Sequence, residues 1–220
     1  QPELYSLDLS GRLQRWQPNR QPNETNRWQA HTLARIADVS DAAAGPHARQ
    51  PQLAVLDVNG DGRAEILVST PTAWAAYRLT DSRAERLFSA QAQEYAACGV
   101  WAPVAFEPTR GPAVLGMCGN QGPVVWLPGP GRYPFAALSM SGQQDGQHSM
   151  RSNASGIGTR IAARFGSSWI VAHTFRQSSG PGQSLQPLSL GTGGAPQLDF
   201  VAIDWSDGVF QSELDLAVNT

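Results

Sequence analysis

One nine-residue segment constrains this chain more than any other feature, because it carries oxygen-bearing side chains at every second position. These residues are Asp57, Asn59 and Asp61, and a further carboxylate, Glu65, closes the segment. Gly62 allows a sharp turn where a Cβ would clash. A tightly curled backbone of this kind directs several oxygens towards one point, and calcium takes six to eight oxygen ligands at about 2.3–2.6 Å. The segment therefore predicts a calcium-binding loop.

The flanking residues indicate that this loop joins two β-strands. Residues 52–56 and 64–69 are short apolar runs rich in Val, Ile and Leu, which are typical of strands. A helix–loop–helix calcium site would need a Glu at the twelfth loop position, where this chain has Val68. The simpler interpretation is a solvated hairpin turn, since Asn-Gly and Asp-Gly are strong turn signals. We favour calcium, because four spaced oxygen-bearing side chains exceed what a turn needs. The predicted ligands are the side chains of Asp57, Asn59, Asp61 and Glu65 and the carbonyl oxygen of Arg63.

The same region resembles an FG-GAP repeat. The resemblance lies in residues 56–62 and in the apolar run at residues 64–68. In that family the repeat is one blade of a β-propeller, as in the integrin alpha-subunit head, and its acidic loop binds calcium between the first two strands. Asn59 stands where the family often has Asp, which keeps an oxygen ligand and removes one charge. The resemblance thus implies a propeller blade with a structural calcium ion.

Alternating apolar and polar residues predict short strands along most of the chain, and therefore an all-β protein. The 22 glycines and 16 prolines favour many turns and few long helices. In the first two thirds the predicted strands cover residues 4–9, 12–16, 29–39, 53–56, 65–69, 73–79, 84–89, 113–118 and 124–127. We expect residues 90–112 to be irregular. These strands would make about three blade units, the second of them complete with four strands.

The last part of the chain resembles an ASPIC/UnbV domain through three motifs in the order of that family. They are Asn153 with residues 156–161, then residues 188–193, then residues 200–208. Leu190 and the pair Ser206-Asp207 depart from the family pattern. The resemblance implies a domain that usually follows FG-GAP repeats in secreted proteins, which is the order shown here. Predicted strands in this part cover residues 160–165, 169–175, 186–190, 200–205 and 209–216.

The predicted organisation is a partial β-propeller of FG-GAP-like blades over residues 1–136, followed by a β-sandwich-like, ASPIC/UnbV-like domain over residues 137–220. We expect the second part to pack on the propeller strands, because only a loop over residues 142–153 precedes it. Cys98 and Cys118 are compatible with a disulfide or with two buried thiols. We predict the disulfide, because the secreted character implied by the resemblances permits it.

Composition excludes some classes of function. A net charge of −2 argues against broad attraction to nucleic acid, and no run of eighteen apolar residues predicts a transmembrane helix. The chain begins at Gln1 rather than Met, which favours a processed or truncated product. Zinc-site spacings and a Gly-x-Ser-x-Gly elbow are both missing from the sequence. Asp204 and Asp207 flank Trp205 and are candidate ligand-binding residues, but a strand that runs into its turn is the simpler interpretation, and we favour it. We expect most of the seven tryptophans to be packing residues, with Trp28 and Trp101 as candidates for a carbohydrate- or protein-binding surface.

The sequence therefore predicts a non-catalytic, secreted or periplasmic interaction module of the adhesion type with a structural calcium ion. A propeller closes only with about four to eight blades, so three predicted blade units cannot form a ring. The expected partner of this chain is therefore a protein or another chain that completes the ring, with carbohydrate as a further candidate ligand. The alternative is a propeller-based hydrolase or lyase, or a carbohydrate-binding protein, with a funnel pocket. A polar funnel with clustered carboxylates and a perturbed His would favour the enzyme, and an apolar surface would favour the interaction module.

Overall fold

The computed structural model describes residues 4–19, 27–36, 51–70, 73–91, 98–118, 122–142, 154–175 and 187–218. Within these ranges the chain is all-β, with sixteen strands and a single short 3₁₀ turn, η1 (Pro108–Arg110). The strands of the first two thirds are β1 (Leu4–Leu7), β2 (Arg12–Pro18), β3 (Trp28–Arg35), β4 (Gln52–Leu56), β5 (Glu65–Ser69), β6 (Ala73–Leu79), β7 (Ala84–Gln91), β8 (Cys98–Val104), β9 (Ala113–Cys118) and β10 (Pro123–Trp126). The remaining strands are β11 (Phe135–Leu138), β12 (Arg160–Phe165), β13 (Ser168–His173), β14 (Leu188–Gly191), β15 (Gln197–Asp204) and β16 (Phe210–Ala217).

The first sheet has the order β1-β2-β3 and is antiparallel throughout. Its hairpin turns at Gly11, whose φ of 78° is accessible to glycine at little cost. The strands predicted over residues 4–9 and 12–16 are thus confirmed, and they form an antiparallel pair. The third strand ends at Arg35, earlier than the sequence pattern indicated, and residues 37–39 of that prediction lie outside the described ranges.

The second sheet is the complete blade that the sequence predicts, with the order β4-β5-β6-β7. Every residue of β5 is buried, because other sheets cover both faces of the blade. On one face Ile66 and Val68 pack with Leu13 of the first sheet. On the other face Leu67 packs with Val114 of the third sheet. A strand covered on both sides needs apolar residues at consecutive positions, which explains its unbroken apolar run.

The third sheet has the order β10-β9-β8, and it corrects one prediction. Residues 90–112 were expected to be irregular, yet β8 lies within them. Pro103 interrupts the strand pattern in the sequence, but β8 is at the edge of its sheet, where the missing N–H of a proline is tolerated. At the other end of β8, Cys98 is the register partner of Cys118 on β9. The side chains of both cysteines lie outside the description, so their disulfide stays a prediction.

The C-terminal part is sandwich-like, with a two-stranded sheet, β11-β14, packed against a four-stranded sheet, β13-β12-β15-β16. Their shared core includes Ala136 and Leu190 from the small sheet and Ile161, Leu198 and Val201 from the large one. The predicted division after residue 136 falls inside β11, which pairs with β14 and so lies with the C-terminal sheets. The predicted loop over residues 143–153 lies outside the described ranges.

The described sheets form no closed barrel and are consistent with a partial propeller that carries a sandwich-like unit. Within the described residues, no helix is long and apolar enough to cross a membrane.

Candidate functional site

The predicted metal loop connects β4 to β5 and is curled by two glycines. The β4–β5 ladder ends with Leu56 opposite Glu65, and the loop lies between them. Gly60 and Gly62 have φ angles of 81° and 83°, a region that residues with a Cβ rarely adopt. This curl brings the side chain of Asp57 within hydrogen-bond reach of backbone N–H groups further along the loop.

Asp57 fixes the path of the loop. Its Oδ1 accepts the backbone N–H of Gly60 at 2.6 Å, and its Oδ2 accepts that of Gly62 at 2.8 Å. Desolvation by burial raises the pKa of Asp57 to about 6; the two N–H donors oppose that rise and the charge of Asp61 adds to it. Each carboxylate oxygen has a second lone pair, so Asp57 retains the capacity to bind a cation.

Asn59 and Asp61 each close a short turn with the residue two positions further on. Oδ1 of Asn59 accepts the backbone N–H of Asp61 at 2.8 Å, and Oδ1 of Asp61 accepts that of Arg63 at 2.9 Å. These are Asx turns, in which the side chain substitutes for a backbone acceptor. The second oxygen of Asp61, Oδ2, lies 3.2 Å from Nη2 of Arg78 on β6. The loop thus has one ion pair with a side chain of the same blade.

Glu65 is the most deeply buried acid of the loop, with 0% of its surface exposed. Its Oε2 accepts the backbone N–H of Val58 at 2.9 Å, whereas its Oε1 is buried and has no hydrogen-bond partner among the described residues. Burial raises the pKa of Glu65 to about 7, and the charges of Asp57 and Asp61 contribute to the rise, while the Val58 bond and Arg78 oppose it. A buried carboxylate oxygen without a donor is costly unless a proton or a cation reaches it.

The chemistry of the donor set fits a hard divalent cation. All four predicted side-chain ligands offer oxygen, and the unpartnered Oε1 of Glu65 marks a position where negative charge lacks compensation. In this structure the side chains face backbone donors instead, and the described ranges hold no group of three acidic, Cys or His residues placed to enclose a metal ion. Arg63 directs its N–H to Asp61 and exposes its side chain. Calcium binding by this set, including the Arg63 carbonyl, stays a prediction.

A cleft of about 300 Å³ adjoins the loop. Asp57 and Arg63 contribute to one side of it, and Trp169 and Val171 of β13 contribute to the other. The side chains of Trp169 and Val171 are 54% and 52% exposed. The sequence analysis placed both residues in a strand without assigning a face to their side chains. Alternation along β13 was the signal that could have done so, since Ile170 and Ala172 face the core and Trp169 and Val171 lie on the opposite face.

Two stretches of the chain match known family models. Residues 51–73, which contain the loop, match the FG-GAP repeat, and residues 149–220 match ASPIC and UnbV. The chain joins an FG-GAP repeat to an ASPIC/UnbV domain. Both resemblances seen in the sequence are thereby confirmed. A comparison with curated proteins gave no match. FG-GAP repeats are typical of extracellular or surface proteins, and the pair of domains indicates an adhesion or interaction module.

The acidic residues beside Trp205 in the ASPIC/UnbV domain have structural partners. Nη1 of Arg160 donates to Oδ2 of Asp204 at 2.8 Å. Oδ1 of Asp207 accepts the backbone N–H of Val209 at 3.1 Å, which closes the turn before β16. The simpler interpretation of this segment, a strand that runs into its turn, therefore accounts for both carboxylates.

Several tryptophans are packing residues, as the sequence predicts. Trp74 and Trp126 meet edge to face between the FG-GAP blade and the third sheet, with ring centroids 5.6 Å apart. Trp205 packs against the core of the ASPIC/UnbV domain. Trp28, a candidate surface residue, is 38% exposed and is the first residue of β3. The side chain of Trp101 lies outside the description.

Two of the four histidines lie in described strands. His31 belongs to β3, and His173 stacks on Phe175 with ring centroids 5.6 Å apart. Burial, with the charge of Arg160 as a smaller contribution, lowers the pKa of His173. His47 and His148 lie outside the described ranges.

Proposed function

We propose that this chain is a non-catalytic, extracytoplasmic interaction module whose FG-GAP loop binds one structural calcium ion. The observation that carries the proposal is the carboxylate of Glu65, which is fully buried and has one oxygen, Oε1, without a described donor. A second acid, Asp57, lies close enough to raise the pKa of that carboxylate further. Buried carboxylates that repel one another need a counter-charge.

The loop carries more negative than positive charge when its acids are ionised. Three carboxylates, those of Asp57, Asp61 and Glu65, interact with one another. Two cations act on them, since Arg78 forms an ion pair with Asp61 and Arg132 interacts electrostatically with Asp57. A calcium ion would supply further positive charge together with a preference for oxygen ligands and irregular geometry. The ion would join the end of β4 to the start of β5, so we assign it a structural role.

The adjoining cleft supports an interaction module rather than an enzyme. Apart from Asp57 and Arg63 it is lined mainly by apolar side chains, among them Leu56, Val104 and Trp169. A protein, or another chain that supplies further blades, is the partner class we propose.

Calorimetry of the whole chain tests the calcium site. We expect calcium at about one hundred times its Kd to stabilise the wild type by roughly 2.7 kcal/mol, which raises the Tm by about 5–10 °C for a chain of this length. Glu65→Gln keeps the size and the acceptor for Val58 and removes one charge. We therefore expect this variant to lose most of the calcium-dependent increase.

Asp61→Ala and Asp207→Ala form a matched pair. Both residues accept the backbone N–H two positions further on, so each substitution removes an Asx turn, and Asp61 alone belongs to the proposed site. We expect Asp207→Ala to keep the calcium response and Asp61→Ala to lose it. Identical wild-type transitions in calcium and in excess chelator would contradict the proposal and leave the hairpin-turn interpretation.

A further inference from the structure

The ASPIC/UnbV domain contacts the FG-GAP loop through Gly191, the last residue of β14. A Cβ built on Gly191 would overlap Oδ2 of Asp57 and would lie 2.5 Å from Cα of Gly60. Real Cβ atoms do not approach other atoms this closely. A side chain at Gly191 would therefore separate the domain from the loop, and glycine is required here for close approach.

Two backbone hydrogen bonds hold the same part of the loop. The N–H of Gly193 donates to the carbonyl oxygen of Gly60 at 2.8 Å, and the N–H of Tyr133, which precedes β11, donates to that of Asn59 at 2.9 Å. A third contact lies at Gly62, where an added Cβ would be 3.1 Å from Cζ of Phe165. The loop is thus held along its length by the C-terminal part of the chain.

The residues held in this way lie between the proposed calcium ligands. Asn59 is itself one of those ligands, and Gly60 connects it to Asp61. Contact with Gly191 also covers the Asp57 carboxylate, which is costly for a charge that is not neutralised. A cation at the loop would offset that cost, and a loop already fixed by the domain would lose less conformational freedom when the cation binds.

We propose that the ASPIC/UnbV domain is a latch on the FG-GAP loop, so that calcium binding and domain docking strengthen each other. The proposal rests on the calcium site proposed above. By thermodynamic reciprocity, a factor by which docking raises calcium affinity equals the factor by which calcium favours docking. Calcium binding at the loop would then strengthen the docking of the C-terminal domain.

Gly191→Ala is the direct test. Gly191 does not have a positive φ, so an alanine is tolerated by the backbone and only the contact with the loop changes. Gly129→Ala is the matched control, because Gly129 also lacks a positive φ and has nothing within 4 Å of an added Cβ. With calcium chloride as the titrant in isothermal calorimetry, we expect Gly191→Ala to weaken binding at least about tenfold and Gly129→Ala to bind as the wild type does.

Hydrogen–deuterium exchange of the wild type tests the latch without any substitution. We expect calcium to slow exchange at the amides of Gly193 and Tyr133, which bond to the loop, and to leave unchanged the amide of Gly208, which donates to the carbonyl oxygen of Trp205 in the turn before β16. A wild type that binds calcium with no change at Gly193 and Tyr133 would overturn the latch and leave the calcium site standing. The same conclusion follows if folded Gly191→Ala, checked by circular dichroism, keeps wild-type affinity. A wild type that binds no calcium would remove the site and the latch together.

Discussion

Nη2 of Arg78 lies 3.2 Å from Oδ2 of Asp61, and Arg78 is also the register partner of Glu65 across the β5–β6 ladder. The guanidinium of Arg78, on β6, therefore interacts electrostatically with two carboxylates of the loop. Its charge opposes the rise in the pKa of Glu65. Arg78 is thus a counter-ion within the protein at the place where we propose a calcium ion.

Replacing Arg78 should have opposite effects with and without calcium. In chelator, Arg78→Gln should lower the Tm by roughly 2–4 °C, because a partly exposed pair contributes up to about 1 kcal/mol. In calcium titrations the same variant should bind about threefold to tenfold more tightly, since a guanidinium repels a nearby dication. Arg83→Gln, which breaks an exposed pair with Glu85, is the control. Weaker calcium binding by Arg78→Gln would show that the guanidinium supports the site instead of competing with the ion.

The pH dependence of stability should reveal the buried acids. The pKa of Asp57 is raised from 3.8 to about 6 and that of Glu65 from 4.5 to about 7, chiefly by desolvation. For an acid whose folded-state pKa is raised, stability is fully present below the unfolded pKa and is lost as the pH rises through the folded value. The metal-depleted chain should therefore be less stable at pH 8 than at pH 5, by on the order of a few kcal/mol.

Urea denaturation in metal-depleted buffer between pH 5 and pH 8 measures this dependence. Glu65→Gln should flatten the curve, whereas Glu107→Gln, at an exposed pair with Arg110, should not. Calcium should reverse the trend at the high end, because it binds the ionised carboxylates. A metal-depleted wild type that gains stability from pH 5 to pH 8 would contradict the burial of these two groups.

Much of the fold follows from local pattern. The bounds of β5 and β6 agree with the sequence prediction, and β5 was recognisable because it carries Ile, Leu and Val at consecutive positions. The loop was also predictable, since its glycines and alternating oxygens are local features. The strand β8 was missed, because a proline such as Pro103 is tolerated only at a sheet edge, and the position of a strand in a sheet is not a local property.

The surroundings of the loop depend on contacts between distant residues. Gly191 lies more than a hundred positions beyond Asp57 in the sequence, and no spacing rule relates the two. The ion pair of Arg78 depends on register across β5 and β6, which hairpin geometry sets. The exposure of Trp169 depends on which face of β13 packs against the core, and that is set by the arrangement of the sheets. Pattern therefore predicted the oxygen donors but not the groups that bury, neutralise and hold them.

Phe135 should be among the most sensitive core positions. Its side chain is fully buried, and its ring fills the space beside Gly60 and Gly111, where an added Cβ would overlap or closely approach it. Phe135→Ala should destabilise the chain by about 3–5 kcal/mol through lost burial and a residual cavity. Phe210→Ala is the control, because that ring is 62% exposed and its loss should change stability by at most about 0.5 kcal/mol. Equal urea midpoints for the two variants would contradict the packing at Phe135.

Cys98 and Cys118 should form an intramolecular disulfide across the β8–β9 ladder. Their Cα atoms are register partners at its end, and antiparallel partners lie about 4.5–5.5 Å apart, within the range that a disulfide spans. A bridge here closes a loop of about twenty residues, which corresponds to roughly 3 kcal/mol in the chain-entropy account.

Alkylation under denaturing conditions, followed by intact-mass measurement, should give no adduct before reduction and two adducts after it. A Cys98→Ser/Cys118→Ser double variant should have the lower Tm of the reduced chain and should not respond to reductant. Two adducts on the unreduced wild type would establish two thiols and contradict the bridge.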